Sequence, residues 1–256
     1  MLGVSLVGLA ALAGCATPAD SVSVTSPSES AARLPAQDSA SASPASTPTG
    51  TTPSSTTPTD AAPAGPARAL LQLLPVKGRA PKTGYSRAQF GSPWNDDVTV
   101  EDGHNGCDTR NDILRRDLVD ITFKPGTRDC VIATGTLHDP YTDKTIAFTR
   151  GAETSSTVQI DHVVALSDAW QKGAQQLTKQ QRVDFANDPR NLQATDGPTN
   201  QRKRDGDAAT WLPPHKAYRC TYAIRQIQVK AAYHLWVTAA ERDALGRLLD
   251  DCPAGR

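Results

Sequence analysis

The chain has 256 residues, and its 27 Lys and Arg balance its 27 Asp and Glu. Residues 1–66 carry Asp20, Glu29, Asp38 and Asp60 against Arg33 alone, which leaves the remainder mildly basic, at a net charge of +3. That balance permits a nucleic-acid partner but excludes the strongly basic domains whose charge alone announces one.

Met1 to Leu12 is an apolar run too short to span a bilayer as a helix. It ends in Leu12-Ala13-Gly14-Cys15, which resembles a lipobox, the signal in which the cysteine is acylated and becomes the new N-terminus. No Lys or Arg precedes the run, and an ordinary cleaved signal is the alternative. Either reading exports the protein, anchored by lipid at Cys15 to the outer face of a cell membrane or released. Residues 1–15 are therefore read as a lipoprotein signal peptide. Residues 16–66 are almost entirely Ser, Thr, Pro and Ala, with too little apolar surface to offset ordering entropy. They are expected to form a disordered linker reaching roughly 40 Å. Residues 67–256 are long enough to bury one hydrophobic core and are taken as a single domain.

Within that domain, Tyr85 to Trp94 supplies apolar and aromatic residues for packing, and Asp96, Asp97, Glu101 and Asp102 form an acidic loop. Asp108 or Thr109 caps a helix running to about Leu118. Three β signals follow, at Asp120–Phe123, Val131–Leu137 and Thr145–Phe148, separated by the turn-like KPGTRD and HDPYTD. A fourth strand, Thr157–Ile160, ends at Asp161-His162. Helices are expected near Ser167–Gly173 and Thr178–Ala186, and a strand over Asn191–Ala194. Pro198 suits the first turn of a helix reaching about Thr210. Helical periodicity runs from Tyr218 to Trp236, and Thr238 with Glu241 makes a capping box for a last helix. The class is α+β, with a small antiparallel sheet and several helices.

Apart from Cys15 there are four cysteines, without CxxC spacing. An even count in an exported chain suggests two bridges. The short link between the last two helices makes them antiparallel, which puts Cys220 beside Cys252 and leaves Cys107 for Cys130.

Chemistry concentrates in IDHVVALSDAW, NDPRNLQAT and DGPTNQRKRDGDAATWLPP. These supply Asp161, His162, Asn191 and Asn200 on a strand–strand–helix pattern. Asp161 and the Asn200 amide oxygen are ligands for a hard divalent cation. Neighbouring side chains on a strand diverge, so His162 can address a water while Asp161 holds the metal. Histidine suits the general-base task near neutral pH, with its Nδ1–H expected to donate to a backbone carbonyl. Asn191 is read as tying together the loop between the strands. Lys203 and Arg204, one turn beyond Asn200, are read as phosphate contacts. Arg110, Asp112 and Arg115 are read as ion-paired helix charges, and Asp205 and Asp207 as solvated ones, with Asp207 in the metal shell through water as the alternative. Arg150 is open between a structural pair and a phosphate contact. Trp170 and Trp211 are assigned to the core, and His104, His138, His215 and His234 show no ligand spacing.

These segments, together with GCDTRNDILRRDL, GTLHDPYT, FTRG and YRCTY, resemble the HNH endonuclease family, and within it the GmrSD-like C-terminal nuclease branch found in exported bacterial proteins. The resemblance spans about residues 85–236. It implies a ββα-metal (HNH, or His-Me finger) core with His162 as general base, Asp161 and Asn200 as metal ligands and Asn191 as the structural asparagine. The stretch between His162 and Asn191 is longer than in compact HNH motifs and carries helices of its own. The activity implied is metal-dependent hydrolysis of DNA, with RNA as a further substrate, at low sequence specificity. Mg2+ is the expected ion, with Mn2+ or Ca2+ as alternatives, and no obligate protein partner is evident. A cell-surface binding module on a silent nuclease fold is the competing reading. A serine hydrolase is excluded for want of a GxSxG elbow.

Overall fold

The computed structural model describes residues 64–253. The expected signal peptide, Cys15 and all but the last three residues of the expected linker lie outside the described residues. The chain opens with α1 (Ala64–Leu73), which starts inside the stretch read as linker. Its local sequence is unremarkable for a helix. Tertiary packing selects it, because Ala67, Leu71 and Leu74 recur at helical spacing and bury against the two last helices.

Helix α2 (Thr109–Asp117) is capped by Asp108, whose carboxylate accepts from Asn111 N at 3.0 Å. A three-stranded antiparallel sheet follows in the order β1 (Leu118–Phe123), β2 (Ile132–His138), β3 (Thr145–Thr149). A second sheet pairs β4 (Val158–His162) with β5 (Leu192–Asp196), also antiparallel. Between these two strands lie α3 (Leu166–Gln171) and α4 (Lys179–Asn187), the latter entered through a Thr178–Gln181 capping box. Helix α5 (Gly197–Lys203) follows β5 directly, and α6 (Arg219–Ala232) and α7 (Ala239–Asp250) close the domain. The fold is α+β, with helices around two small antiparallel sheets.

The bridges pair as expected, Cys107 with Cys130 and Cys220 with Cys252. The second clamps the start of α6 to the end of α7, where Ile224, Ile227, Leu245 and Leu248 form one apolar core with α1. A separate core joins α2 to both sheets through Ile113, Leu114, Ile132, Phe148, Val158 and Leu192. Phe90, Trp170, Phe185 and Tyr233 fill a third around α3 and α4.

Several local expectations change. Helix α5 stops at Lys203 instead of reaching Thr210. Arg204 turns to φ +54°, and Asp207 is drawn away from the helix into a buried charge network. Lys172 Nζ meets Asp168, Asp207 and Glu241 at 2.7, 2.7 and 2.6 Å, and Lys230 Nζ meets Asp168 and Glu241 at 3.0 and 2.9 Å. Arg79 adds contacts to Asp168 and Asp207. Three acids face three bases, so the burial leaves no net charge, which is what makes such a cluster tolerable. Asp207 is therefore neither a solvated helix charge nor a metal neighbour. Arg110, Asp112 and Arg115 form no ion pairs among the described residues. Arg110 donates to the carbonyls of Ser155 and Val158, Asp112 accepts from Asn105, and Arg115 donates to the carbonyl of Asp129. Arg150 is structural, donating to Ile132 O and Asn111 Oδ1.

Candidate active site

The β4–β5 register opposes Asp161 to Gln193 and His162 to Leu192. Side chains two apart on a strand share a face, so Gln159 and Asp161 look the same way. Helix α5 packs on that face. Its residues Asn200 and Lys203, three apart and hence neighbours on the helix surface, meet Gln159 and Asp161 in turn. Asn200 Nδ2 donates to Gln159 Oε1 at 3.0 Å, and Lys203 Nζ lies 2.9 Å from Asp161 Oδ1 and 2.8 Å from Oδ2. The same ammonium donates to the carbonyl of His162 at 2.6 Å. Lys203 is fully buried, so the phosphate contact expected of it does not fit; its charge is turned inward to the carboxylate.

Asp161 has a second partner that the sequence reading did not name. Tyr141 OH donates to Oδ2 at 2.6 Å. Tyr141 is brought there by the HDPYT loop, which Asp139 pins to β5 by accepting from Thr195 Oγ1 at 2.7 Å and Asp196 N at 3.2 Å. The motif was visible in the sequence; the reach of its tyrosine across to β4 was not. Among the described residues the carboxylate thus makes three contacts, two of them on Oδ2, which leaves one lone-pair direction on Oδ1 without a partner. The Oδ1 of Asn200 accepts no hydrogen bond among the described residues.

His162 projects from the other face of β4. Its Nε2 lies 2.9 Å from the carbonyl of Ala186, at the end of α4. A carbonyl only accepts, so Nε2 carries the proton and Nδ1 is the basic nitrogen. This reverses the expected use of the two ring nitrogens. Nδ1 makes no hydrogen bond among the described residues. Burial lowers the imidazole's pKa to about 4; the Ala186 carbonyl and Asp161 oppose that shift, and Arg87 and Lys203 add to it. The ring is consequently neutral at neutral pH. The ring of Trp94 runs parallel to it within 12°, with centroids 6.1 Å apart.

Asn191, fully buried, fastens the loop after β4. Its Oδ1 accepts from Val164 N at 2.8 Å, and its Nδ2 donates to Val164 O and Phe185 O at 3.3 Å each. The backbone adds Val163 N to Asn191 O at 2.7 Å. The insertion between the strands is thereby tied down beside His162, since Phe185 precedes the residue whose carbonyl orients the imidazole.

Asp161, His162 and Asn200 border one cleft of about 430 Å3. Lys82, Arg87 and Arg204 stand around it with exposed side chains. Arg87 comes from the 3-10 turn Arg87–Phe90, in a stretch whose sequence pattern gave no sign of a role at the site. Among the described residues, no three His, Cys, Asp or Glu side chains converge as a metal-binding group. Trp170 and Trp211 pack, the first in the α3–α4 core and the second against Tyr141 and Tyr222.

Residues 108–248, more than half of the chain, match the family described as GmrSD restriction endonucleases, C-terminal domain. The chain is also 38% identical over 189 residues to a protein of Arthroderma benhamiae described as an uncharacterized secreted protein, covering 73% of this chain and 84% of that one. No solved structure gives a significant match. The chain belongs to the GmrSD C-terminal domain family.

Proposed function

We propose that the protein is an exported, metal-dependent endonuclease of the HNH type that hydrolyses phosphodiester bonds of DNA, and of RNA as a further substrate, with low sequence specificity. One observation carries the reading: the His162 imidazole, whose Nδ1 has no hydrogen-bond partner among the described residues, borders the same cleft as the Asp161 carboxylate and the Asn200 amide oxygen. In ββα-metal terms, β4, β5 and α5 form the core, with Asp161 and Asn200 as ligands.

The donor set fits a hard cation such as Mg2+, which is commonly bound by one or two carboxylates with waters and substrate phosphate completing the shell. Mn2+ or Ca2+ suits the same oxygens. The bound ion would supply charge neutralisation at the phosphate and the leaving oxygen. The chain's own residues do the rest. His162 Nδ1 takes a proton from the attacking water. The Ala186 carbonyl fixes the ring and stabilises the imidazolium as it forms. Arg87 and Arg204 approach the phosphate oxygens with exposed guanidinium groups. Lys203 and Tyr141 hold Asp161 in place, and Asn191 holds the loop, so these three act through others.

Export rests on the two bridges, the secreted description of the relative and the lipobox-like Cys15, through which the chain would be anchored by lipid outside the cell. A second reading, a catalytically silent surface module, is favoured by one observation only: Lys203 already neutralises the carboxylate that would bind the ion. Plasmid degradation with and without EDTA, for wild type and His162→Ala, separates the two. The nuclease reading expects cleavage that EDTA stops and that His162→Ala abolishes while metal binding persists. Cleavage by His162→Ala at the wild-type rate removes the assigned base, and an inert wild type supports the silent module.

A further inference from the structure

His162 borders a second space. On the Trp94 side of the imidazole lies a groove of about 560 Å3 walled by Ala88, Phe90, Pro93, Trp94, Leu166 and Ala186. Its character differs from that of the polar cleft: the walls are aromatic and aliphatic. Arg87 lines both spaces, and Lys179 stands on the groove's edge; both are exposed. Trp94 is held at φ +57°, a conformation costly for a bulky side chain and one that gathers at functional sites. Asn187 also borders the groove and is 1% exposed. Its Nδ2 donates to Val183 O at 2.9 Å, while its Oδ1 has no partner among the described residues. A buried acceptor left without a donor is rare and calls for one.

A largely apolar groove bordered by the His162 imidazole, two exposed cations and an asparagine whose buried amide oxygen has no partner among the described residues matches one kind of occupant. We propose that this groove holds the nucleobase next to the scissile phosphate, turned out of any stack, with Asn187 Oδ1 accepting from that base's exocyclic amino group. The proposal rests on the nuclease reading above and narrows its substrate. Bases stack on aromatic side chains without regard to sequence, whereas a base inside a duplex has first to be extruded. The enzyme therefore prefers single-stranded or locally unpaired nucleic acid. Adenine, cytosine and guanine carry the amino donor; thymine and uracil do not.

The test uses the full chain. Binding of fluorescent 12-nucleotide single strands is measured by anisotropy in EDTA, comparing oligo-dC, oligo-dT and a fully abasic strand with the same number of phosphates. Cleavage of single-stranded and duplex DNA is then followed in Mg2+. Loss of one stacked base is expected to weaken binding about tenfold in the abasic strand. Oligo-dC is expected to bind several-fold tighter than oligo-dT, and single strands to be cut faster than duplex. Ala88→Trp, at an exposed position on the groove wall, fills the slot and should bring oligo-dC down to the abasic level. Equal binding of oligo-dC and the abasic strand, an undiminished preference in Ala88→Trp, or duplex cut as fast as single strand overturns the groove assignment while leaving the nuclease intact. Equal binding of oligo-dC and oligo-dT, both above the abasic strand, overturns the role of Asn187. Failure to cut any nucleic acid overturns the nuclease reading and this proposal with it.

Discussion

Replacing Lys203 by methionine isolates the contact on which the geometry of the site turns. The Lys203 side chain is fully buried and that of Asp161 is 5% exposed, with the ammonium 2.8 Å from the carboxylate. Methionine keeps most of the stem's volume and removes the charge. Asp161 then retains Tyr141 as its remaining hydrogen-bond partner, and the His162 carbonyl loses its donor. Breaking a buried pair from one side costs about 3–5 kcal/mol, because a charge is left uncompensated. For a domain of this size each kcal/mol moves Tm by about 2–4 °C, so a drop of roughly 10 °C is expected in EDTA. A cation bound to the native state adds stability by mass action. If Asp161 is a ligand, Mg2+ should raise the Tm of Lys203→Met by more than it raises that of wild type, since the competing ammonium is gone. Differential scanning fluorimetry across a Mg2+ titration measures both. A variant that melts with wild type in EDTA would refute the buried pair. A large loss with no differential response to Mg2+ would refute Asp161 as a ligand.

Asp112 offers a test with the opposite sign. Burial, reinforced by Asp102, Asp108 and Asp96 and opposed by the Asn105 hydrogen bond, raises its carboxyl from 3.8 to about 6. Between those values the native state binds more protons than the unfolded chain, so this group's contribution falls as pH rises through the window. Asp112→Asn keeps the acceptor for Asn105 and should stabilise the protein at pH 7, by about 3 kcal/mol at most, but not at pH 4; denaturant midpoints at the two pH values check this, and a gain of equal size at both would count against it. The bridges close sequence separations of 23 and 32 residues. On the chain-entropy account each contributes about 3.5 kcal/mol, so melting under a strong reductant should occur well below the untreated Tm, and unchanged melting of a verified reduced sample would contradict that account. Asn191→Ala removes three side-chain hydrogen bonds and leaves Val164 N–H buried without its acceptor; a loss of about 2–4 kcal/mol is expected, with accelerated amide exchange at Val164, and wild-type protection there would argue against the tie.

Much of the fold was legible because it is written in local chemistry. Asp108, Thr178 and Thr238 cap helices through their own side chains, and the turn-like KPGTRD and HDPYTD separate the strand signals of β1, β2 and β3. The pairing of Cys220 with Cys252 followed from the antiparallel order that a short link imposes. Helix α1 was not legible, since its packing partners lie more than a hundred residues away in α6 and α7. The early end of α5 was hidden for the same reason: Asp207 leaves the helical path for Lys172 and Arg79, and no window around residue 207 contains either.

By itself the sequence determined which residue types stand at the candidate site, because Asp161, His162 and Asn200 sit at spacings that a strand–strand–helix unit brings to one cleft. Only the tertiary structure decided what each group is free to do. It gave Asp161 to Lys203 and Tyr141, turned the proton of His162 to Ala186 so that Nδ1 remains basic, and supplied Arg87 from a turn far upstream. The reason is physical: residue type fixes donors, acceptors and charge, whereas burial and the choice among competing partners arise only when distant segments are packed together.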